Sequence, residues 1–257
     1  MKPTLLAQAV LSVSVGMAAS VSSAAVLEEV IVTAQKREQS MQDVPFSVSA
    51  MTGETLSSRG INTVMDLQNI SPSLMSPSSG SPGQGASFRL RGFGSPGFAL
   101  GIEPAVATFI DGVYRSRSGV AVNDLVDINR VEILKGPQGT LFGKNTTAGV
   151  IHVITNRPNL ENVEGFIEAD YEVEYEGTRL KGMINTPIGE KSALRIAGMW
   201  GEGDGWLENK GTPDDANNLD RYNIHAQYLW VPSDDLDINL SVSSGEIDEI
   251  CCSVVTL

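Results

Sequence analysis

The sequence predicts an α+β domain, a small mixed sheet with short helices and long loops, followed by the first antiparallel strands of an incomplete transmembrane β-barrel. Three observations carry that expectation. Residues 43–158 are dense in Gly, Pro and Ser and hold short β-prone runs separated by turn signals. Residues 159–257 alternate apolar and polar positions with period two, over runs of about ten residues, the length of a tilted strand that crosses a bilayer. The start of the chain has the three-part pattern of an export signal.

That signal comprises the basic start Met1-Lys2-Pro3-Thr4, the apolar and small-residue run Leu5 to Ala19, and Ser22-Ser23-Ala24 with small residues at −3 and −1 of a cleavage site. The run is too short and too rich in Ser for a spanning helix, which needs about 20 predominantly apolar residues. Residues 1–24 are therefore expected to be removed. Residues 25–42 form a polar leader around one β-prone island, Glu28-Glu29-Val30-Ile31-Val32-Thr33-Ala34. A strand this short needs a partner strand. Its polar flank, Gln35-Lys36-Arg37-Glu38-Gln39, favours a mobile leader over an edge strand of the following domain.

In that domain Phe46 to Ala50 alternates like a strand, Thr52 is placed to cap a helix beginning at Gly53, and Asn62 or Thr63 to cap a second one reaching Leu67. Ser76 to Ala86 reads as a loop. Phe88–Arg91, Val106–Ile110, Arg130–Leu134 and Val150–Ile154 read as strands, with turns at Asp111-Gly112 and Lys135-Gly136-Pro137.

Five candidate strands follow. Ile167, Ala169, Tyr171, Val173 and Tyr175 alternate with Glu168, Asp170, Glu172 and Glu174. Leu180 and Ile184 oppose Arg179, Lys181 and Asn185; Leu194, Ile196 and Trp200 oppose Arg195. Tyr222, Ile224, Ala226, Tyr228 and Trp230 alternate with Arg221, Asn223, His225 and Gln227; Leu236, Ile238, Leu240 and Val242 alternate with Asp237, Asn239, Ser241 and Ser243. A soluble sandwich would also alternate. Aromatic residues near strand ends on the apolar face, a charged opposite face, and tight turns at Gly189-Glu190 and Pro232-Ser233 against a long Gly201–Leu219 connection favour a membrane barrel.

Composition narrows function. Eighteen Lys plus Arg against 31 Asp plus Glu give a net charge of −13, which argues against binding phosphate backbones, so no nucleic-acid partner is expected. Two Cys and two His supply neither a disulfide framework nor an imidazole metal site, and no metal or cofactor is implied. His152 and His225 read as structural or lumen-facing. Gly143-Lys144 fails as a phosphate loop, because position 138 is Gln and position 145 is Asn. No catalytic constellation appears, and the chain is not expected to be an enzyme. Cys251-Cys252 could form a vicinal disulfide or pair elsewhere; their role stays open.

Taken together, these segments resemble TonB-dependent outer-membrane receptors. Leu27 to Ala34 looks like the family's TonB box, Asp43-Val44-Pro45-Phe46-Ser47-Val48 like the opening of its plug domain, Phe88-Arg89-Leu90-Arg91-Gly92-Phe93 like its Arg-Gly motif, and Phe109-Ile110-Asp111-Gly112-Val113-Tyr114 like its central strand and turn. Ile128 to Pro158 is similar to the end of a plug almost throughout, with His152 at a position usually Asn. The resemblance implies an energy-coupled transporter of a scarce ligand, most often a ferric siderophore, in the bacterial outer membrane. It implies pairing of residues 28–34 with TonB, which is driven through ExbB and ExbD, and contacts of Arg91 and Arg130 with glutamates on the barrel wall. It implies ligand contact at the outward loops, with Ser78, Ser79, Gln84, Ser95 and Phe98 as candidates. Barrels of this kind have about 22 strands, so the sequence reads as a plug at residues 43–158 joined to part of a barrel at 159–257. A transport-incompetent fragment or an exported binding module is the alternative.

Overall fold

The computed structural model describes residues 30–76, 87–95, 102–116, 124–174, 176–207 and 215–250. Glu28, Glu29, the export signal, Ser78, Ser79, Gln84, Phe98, Cys251 and Cys252 lie outside the described residues. The chain divides into two compact units, Met1–Val30 and Ile31–Leu257. All the described strands and helices lie in the second.

Strand β1 (Ile31–Val32) pairs antiparallel with β2 (Gln39–Ser40). Ile31 and Val32 of the island thus find partners within the leader itself. Strand β3 (Val48–Thr52) follows and runs into the helix Gly53–Ser58, where the Thr52 side chain accepts the N–H of Thr55 as a cap. The strand begins two residues later than expected. Thr63 forms a capping box with Asp66 at the start of the 3-10 helix Val64–Asn69. Three two-residue strands, β4 (Leu74–Met75), β5 (Arg89–Leu90) and β6 (Phe93–Gly94), make a separate ladder.

The main sheet adds β7 (Val106–Ile110), β8 (Val113–Arg115), β9 (Ile128–Lys135) and β10 (Gly149–Thr155), in the order β3-β9-β10-β7-β8. Only β10 and β7 run parallel. Alternation splits this sheet into two faces. Val106, Val131, Ile133, Ile151 and Val153 form a core with Leu56, Val64 and Leu67 of the two helices and Ile61 between them. The other face carries Glu132, Leu134, Val150, His152, Ala107 and Phe109. Gly149 must be glycine: a Cβ there would strike the Leu134 carbonyl oxygen and the Leu90 side chain. The Gly143-Lys144 stretch joins β9 to β10 through the short helix Gly139–Phe142 and a positive-φ Gly143, the turn that the sequence favoured over a phosphate loop.

A second five-stranded sheet is wholly antiparallel, in sequence order: β11 (Glu164–Glu172), β12 (Gly177–Pro187), β13 (Ser192–Gly203), β14 (Leu219–Ser233) and β15 (Leu236–Ile247). Its last turn falls after Ser233, not at Pro232-Ser233, because Ser233 still pairs with Leu236 beyond a register irregularity. Among the described residues the sheet is not closed.

Candidate functional site

The two sheets meet through a polar interface. On β12, β13 and β14 the residues that face the first domain include Lys181, Asn185, Arg195, Arg221 and Gln227, all buried, beside a small apolar patch where Val126 packs on Ala197, Met199 and Met183. Arg195 grips Asp127 with Nε and Nη2 at 2.6 Å each, the planar fork geometry that makes arginine–carboxylate pairs strong. Arg221 bonds Glu249 at 2.6 Å and stands 3.6 Å from Asp124. Burial pushes the Asp124 carboxyl above its usual range, against the pull of Arg221 and Arg179. Lys181 reaches Asn62 at 2.5 Å, and Gln227 donates to Thr155 Oγ1 and the Asn156 carbonyl at 3.0 and 2.8 Å. Between the first domain and β11–β13 lies a cavity of about 670 Å³, with Glu54, Asn62, Glu168, Asp170, Arg179 and Lys181 among its lining.

The opposite face of β11–β15 is apolar and exposed: Ile167, Leu180, Ile184, Trp200, Tyr222, Ile224, Tyr228, Trp230, Leu240 and Val242 all point away from the protein. A water-soluble sheet buries its greasy side. This one turns Lys181, Arg195 and Arg221 inward, where they are buried, and presents hydrocarbon outward, the arrangement of a membrane barrel wall. Trp200 and Tyr222 are register partners near one end of the strands, while Trp230 marks the other end of β14. At about 3.3 Å per residue Tyr222 and Trp230 lie roughly 26 Å apart along the strand, which at a tilt of about 40° spans roughly 20 Å of height, inside an apolar band of about 25 Å.

The leader lies on the second face of the main sheet. Thr33 donates its N–H and its hydroxyl to Glu132 Oε1 at 2.7 and 3.1 Å, and Arg130 Nε donates to the same oxygen at 2.8 Å. Burial alone would push the Glu132 carboxyl up. His152, Thr33 and Arg130 outweigh it and hold the group below the ordinary glutamate range. Val32 and Ala34 are fully buried.

Residues 40–150 match the family described as TonB-dependent Receptor Plug Domain. The chain carries a TonB-dependent receptor plug. Similarity runs past it into the strands. The chain is 27% identical over 228 residues to the vitamin B12 transporter BtuB of Vibrio vulnificus, covering 84% of this chain and 34% of that protein. It is 32% identical over 139 residues to the pesticin receptor of Yersinia pestis, covering 54% of this chain and 20% of that one. The crystal structure of the ferric yersiniabactin uptake receptor FyuA from Yersinia pestis aligns with a TM-score of 0.70 at 25% identity, over 78% of this chain and 31% of that chain. The chain thus spans about a third or less of these relatives.

Within the plug, the sequence-predicted site residues fall in different places. Arg91 is exposed in a left-handed conformation (φ 54°) before Gly92, and its N–H bonds the Ser73 carbonyl. Arg130 bonds Glu132 and Asn129 of its own strand and Thr33 of the leader. Ser95 donates to the Glu103 carbonyl at 2.9 Å. Among the described residues the plug–wall charge pairs run both ways: Arg157 of the plug meets Asp237 of the wall at 2.7 Å, and the wall supplies Arg195 and Arg221 to Asp127 and Asp124 of the plug. The sequence offered one signal for them. Arg195 and Arg221 sit on the polar face of their strands, and a buried arginine requires a carboxylate partner.

Proposed function

We propose that this chain is part of a TonB-dependent outer-membrane transporter that takes up a scarce ligand, a ferric siderophore, with energy delivered by TonB and its ExbB and ExbD partners. The inverted sheet β11–β15 carries the reading: a polar inner face packed on a plug and an apolar outer face suit a membrane wall with a stoppered lumen. Residues 1–24 would be cleaved on export, 25–42 would serve as the leader, 43–158 as the plug, and 159–257 as the start of the wall.

Residues 28–34, from Glu28 to Ala34, would be the segment that TonB takes as an added strand, with affinity from backbone hydrogen bonds. Arg91 and Arg130 would contact wall carboxylates. Ser78, Ser79, Gln84, Ser95 and Phe98 would touch ligand on the outward side. The siderophore assignment is supported by relatives named as a ferrioxamine receptor and a ferric yersiniabactin uptake receptor, with the vitamin B12 transporter naming the other ligand class.

Two measurements test it. Uptake of labelled ferric siderophores in cells expressing the intact gene should require TonB; equal uptake without TonB overturns energy coupling. Retention on the immobilised TonB C-terminal domain should be lost with Val30→Pro, which removes a ladder donor; unchanged retention overturns the pairing.

A further inference from the structure

The leader is held to the plug sheet at two separate points. At the first, the fully buried Glu132 takes the Thr33 N–H and hydroxyl, and Arg130 Nη2 also reaches Thr33 Oγ1 at 3.3 Å. At the second, a turn closed by Lys36 N–H to the Thr33 carbonyl (2.9 Å) leaves Lys36 at φ 61°. Its ammonium then lies 4.3 Å from the centre of the Phe142 ring and 5.5 Å from that of Phe109, inside the range for attraction of a cation to a ring face.

His152 stands behind both points. Its Nδ1 is 3.8 Å from Glu132 Oε2, its ring meets Phe109 and Phe142 edge-on at 6.4 and 6.2 Å, and its Nε2 accepts the Gly112 N–H at 3.2 Å. The last bond leaves the neutral ring's proton on Nδ1, facing the carboxylate. Glu132 Oε2 and His152 Nδ1 are both buried without a hydrogen-bond partner among the described residues, so the pair is poised and not closed.

We propose that Glu132 and the Phe109–Phe142 ring pair, both backed by His152, form a two-jaw clasp that fastens Thr33 and Lys36 to the plug and keeps Val32 covered until the clasp opens. Glu132 and His152 act as positioning residues. The β1–β2 ladder of two residue pairs is too short to hold the segment alone. A charge-assisted bond and a cation–ring contact three residues apart supply the rest. The Glu132 jaw is the stronger, because it is buried while Lys36 is exposed. The consequence for transport rests on the proposed transporter function: the clasped segment overlaps the one a periplasmic partner strand would take.

The test reads docking without any partner. In outer membranes from cells expressing the intact gene, with Cys251 and Cys252 replaced by Ser, a Val32→Cys reporter is labelled with a maleimide. Glu132→Gln should raise the labelling rate about tenfold, the factor that a lost hydrogen bond to a charged group carries. Lys36→Gln should raise it about threefold and Lys36→Arg should leave it unchanged, since guanidinium also binds ring faces. An Ala107→Cys reporter, at a fully buried position of the plug sheet, should stay protected throughout. The clasp is overturned if Val32→Cys already reacts at the unfolded rate in the parent. It is equally overturned if Glu132→Gln and Lys36→Gln leave the rate unchanged while the Ala107 reporter is protected. If Glu132→Gln also exposes the Ala107 reporter, the Lys36 pair decides, and equal rates for Gln and Arg overturn the proposal. Failure here leaves TonB retention untouched, so it is distinguishable from failure of the transport reading.

Discussion

Arg195 and Asp127 show how much a single pair can fix. Their side chains are 7% and 5% exposed and meet through two bonds of 2.6 Å. Removing one partner strands a buried charge, which costs about 3–5 kcal/mol, whereas replacing both with apolar groups of similar size is near neutral. Arg195→Met should therefore lower the urea midpoint of the refolded protein markedly, and Arg195→Met with Asp127→Leu should recover most of the loss. A double mutant no better than the single would show that the arginine acts alone. Half of this pair was legible in the sequence. Arg195 sits between Leu194 and Ile196 on the polar side of an alternating strand, so its direction followed from period two. Asp127 gave no such signal: it has φ 54°, just ahead of β9, and only the folded chain brings it to the wall. The resemblance pointed to the plug arginines Arg91 and Arg130; Arg130 turns to Glu132 on its own strand, two residues away, while Arg157, at the end of the plug, meets the wall carboxylate Asp237 at 2.7 Å.

At the scale of elements, the leader shows how charge state and docking are linked. Glu132 is held below the ordinary glutamate range by His152, Thr33 and Arg130 in spite of burial. A carboxylate with a lowered folded-state pKa adds stability above its unfolded pKa, and that stability is lost as pH falls through the folded value. The stability difference between the parent and Glu132→Gln should thus be fully present at neutral pH, on the order of 1.5–3 kcal/mol. It should shrink as pH drops below the usual glutamate value. Paired denaturation curves across that acid range check it; a difference independent of pH would mean that the charge on Glu132 does not hold the leader.

Elements with a local signal of their own were legible. Strand β7 spans Val106–Ile110 as expected, and Thr52 and Thr63 cap the two helices where hydroxyl residues preceded the first turns. The two-residue strands β4 and β6 and the helix Gly139–Phe142 are too short to show a period. The docking of β1 was hidden for a different reason: its polar flank is solvated, and the attachment comes from Glu132, 99 positions away.

At the scale of the molecule, the decisive property is which side of the second sheet is greasy, and neighbouring residues of β15 can measure it. Val242 pairs with Ala226, midway between Tyr222 and Trp230, on the outward face; Ser241 pairs with Gln227 on the inward face. Both residues are exposed. If the outward face met water, Val242→Lys would be neutral or would improve solubility, as it breaks an apolar patch. If it meets lipid near the bilayer midplane, a lysine there costs about 2–4 kcal/mol, while a lysine on the lumen side is tolerated. Folded yield in outer membranes, or the urea midpoint in lipid vesicles, should therefore fall for Val242→Lys and hold for Ser241→Lys. Equal behaviour of these two adjacent substitutions would remove lipid from the account of this sheet. The contrast does not depend on the ligand or on TonB, because it follows from the alternation that puts Val242 and Ser241 on opposite faces of one strand.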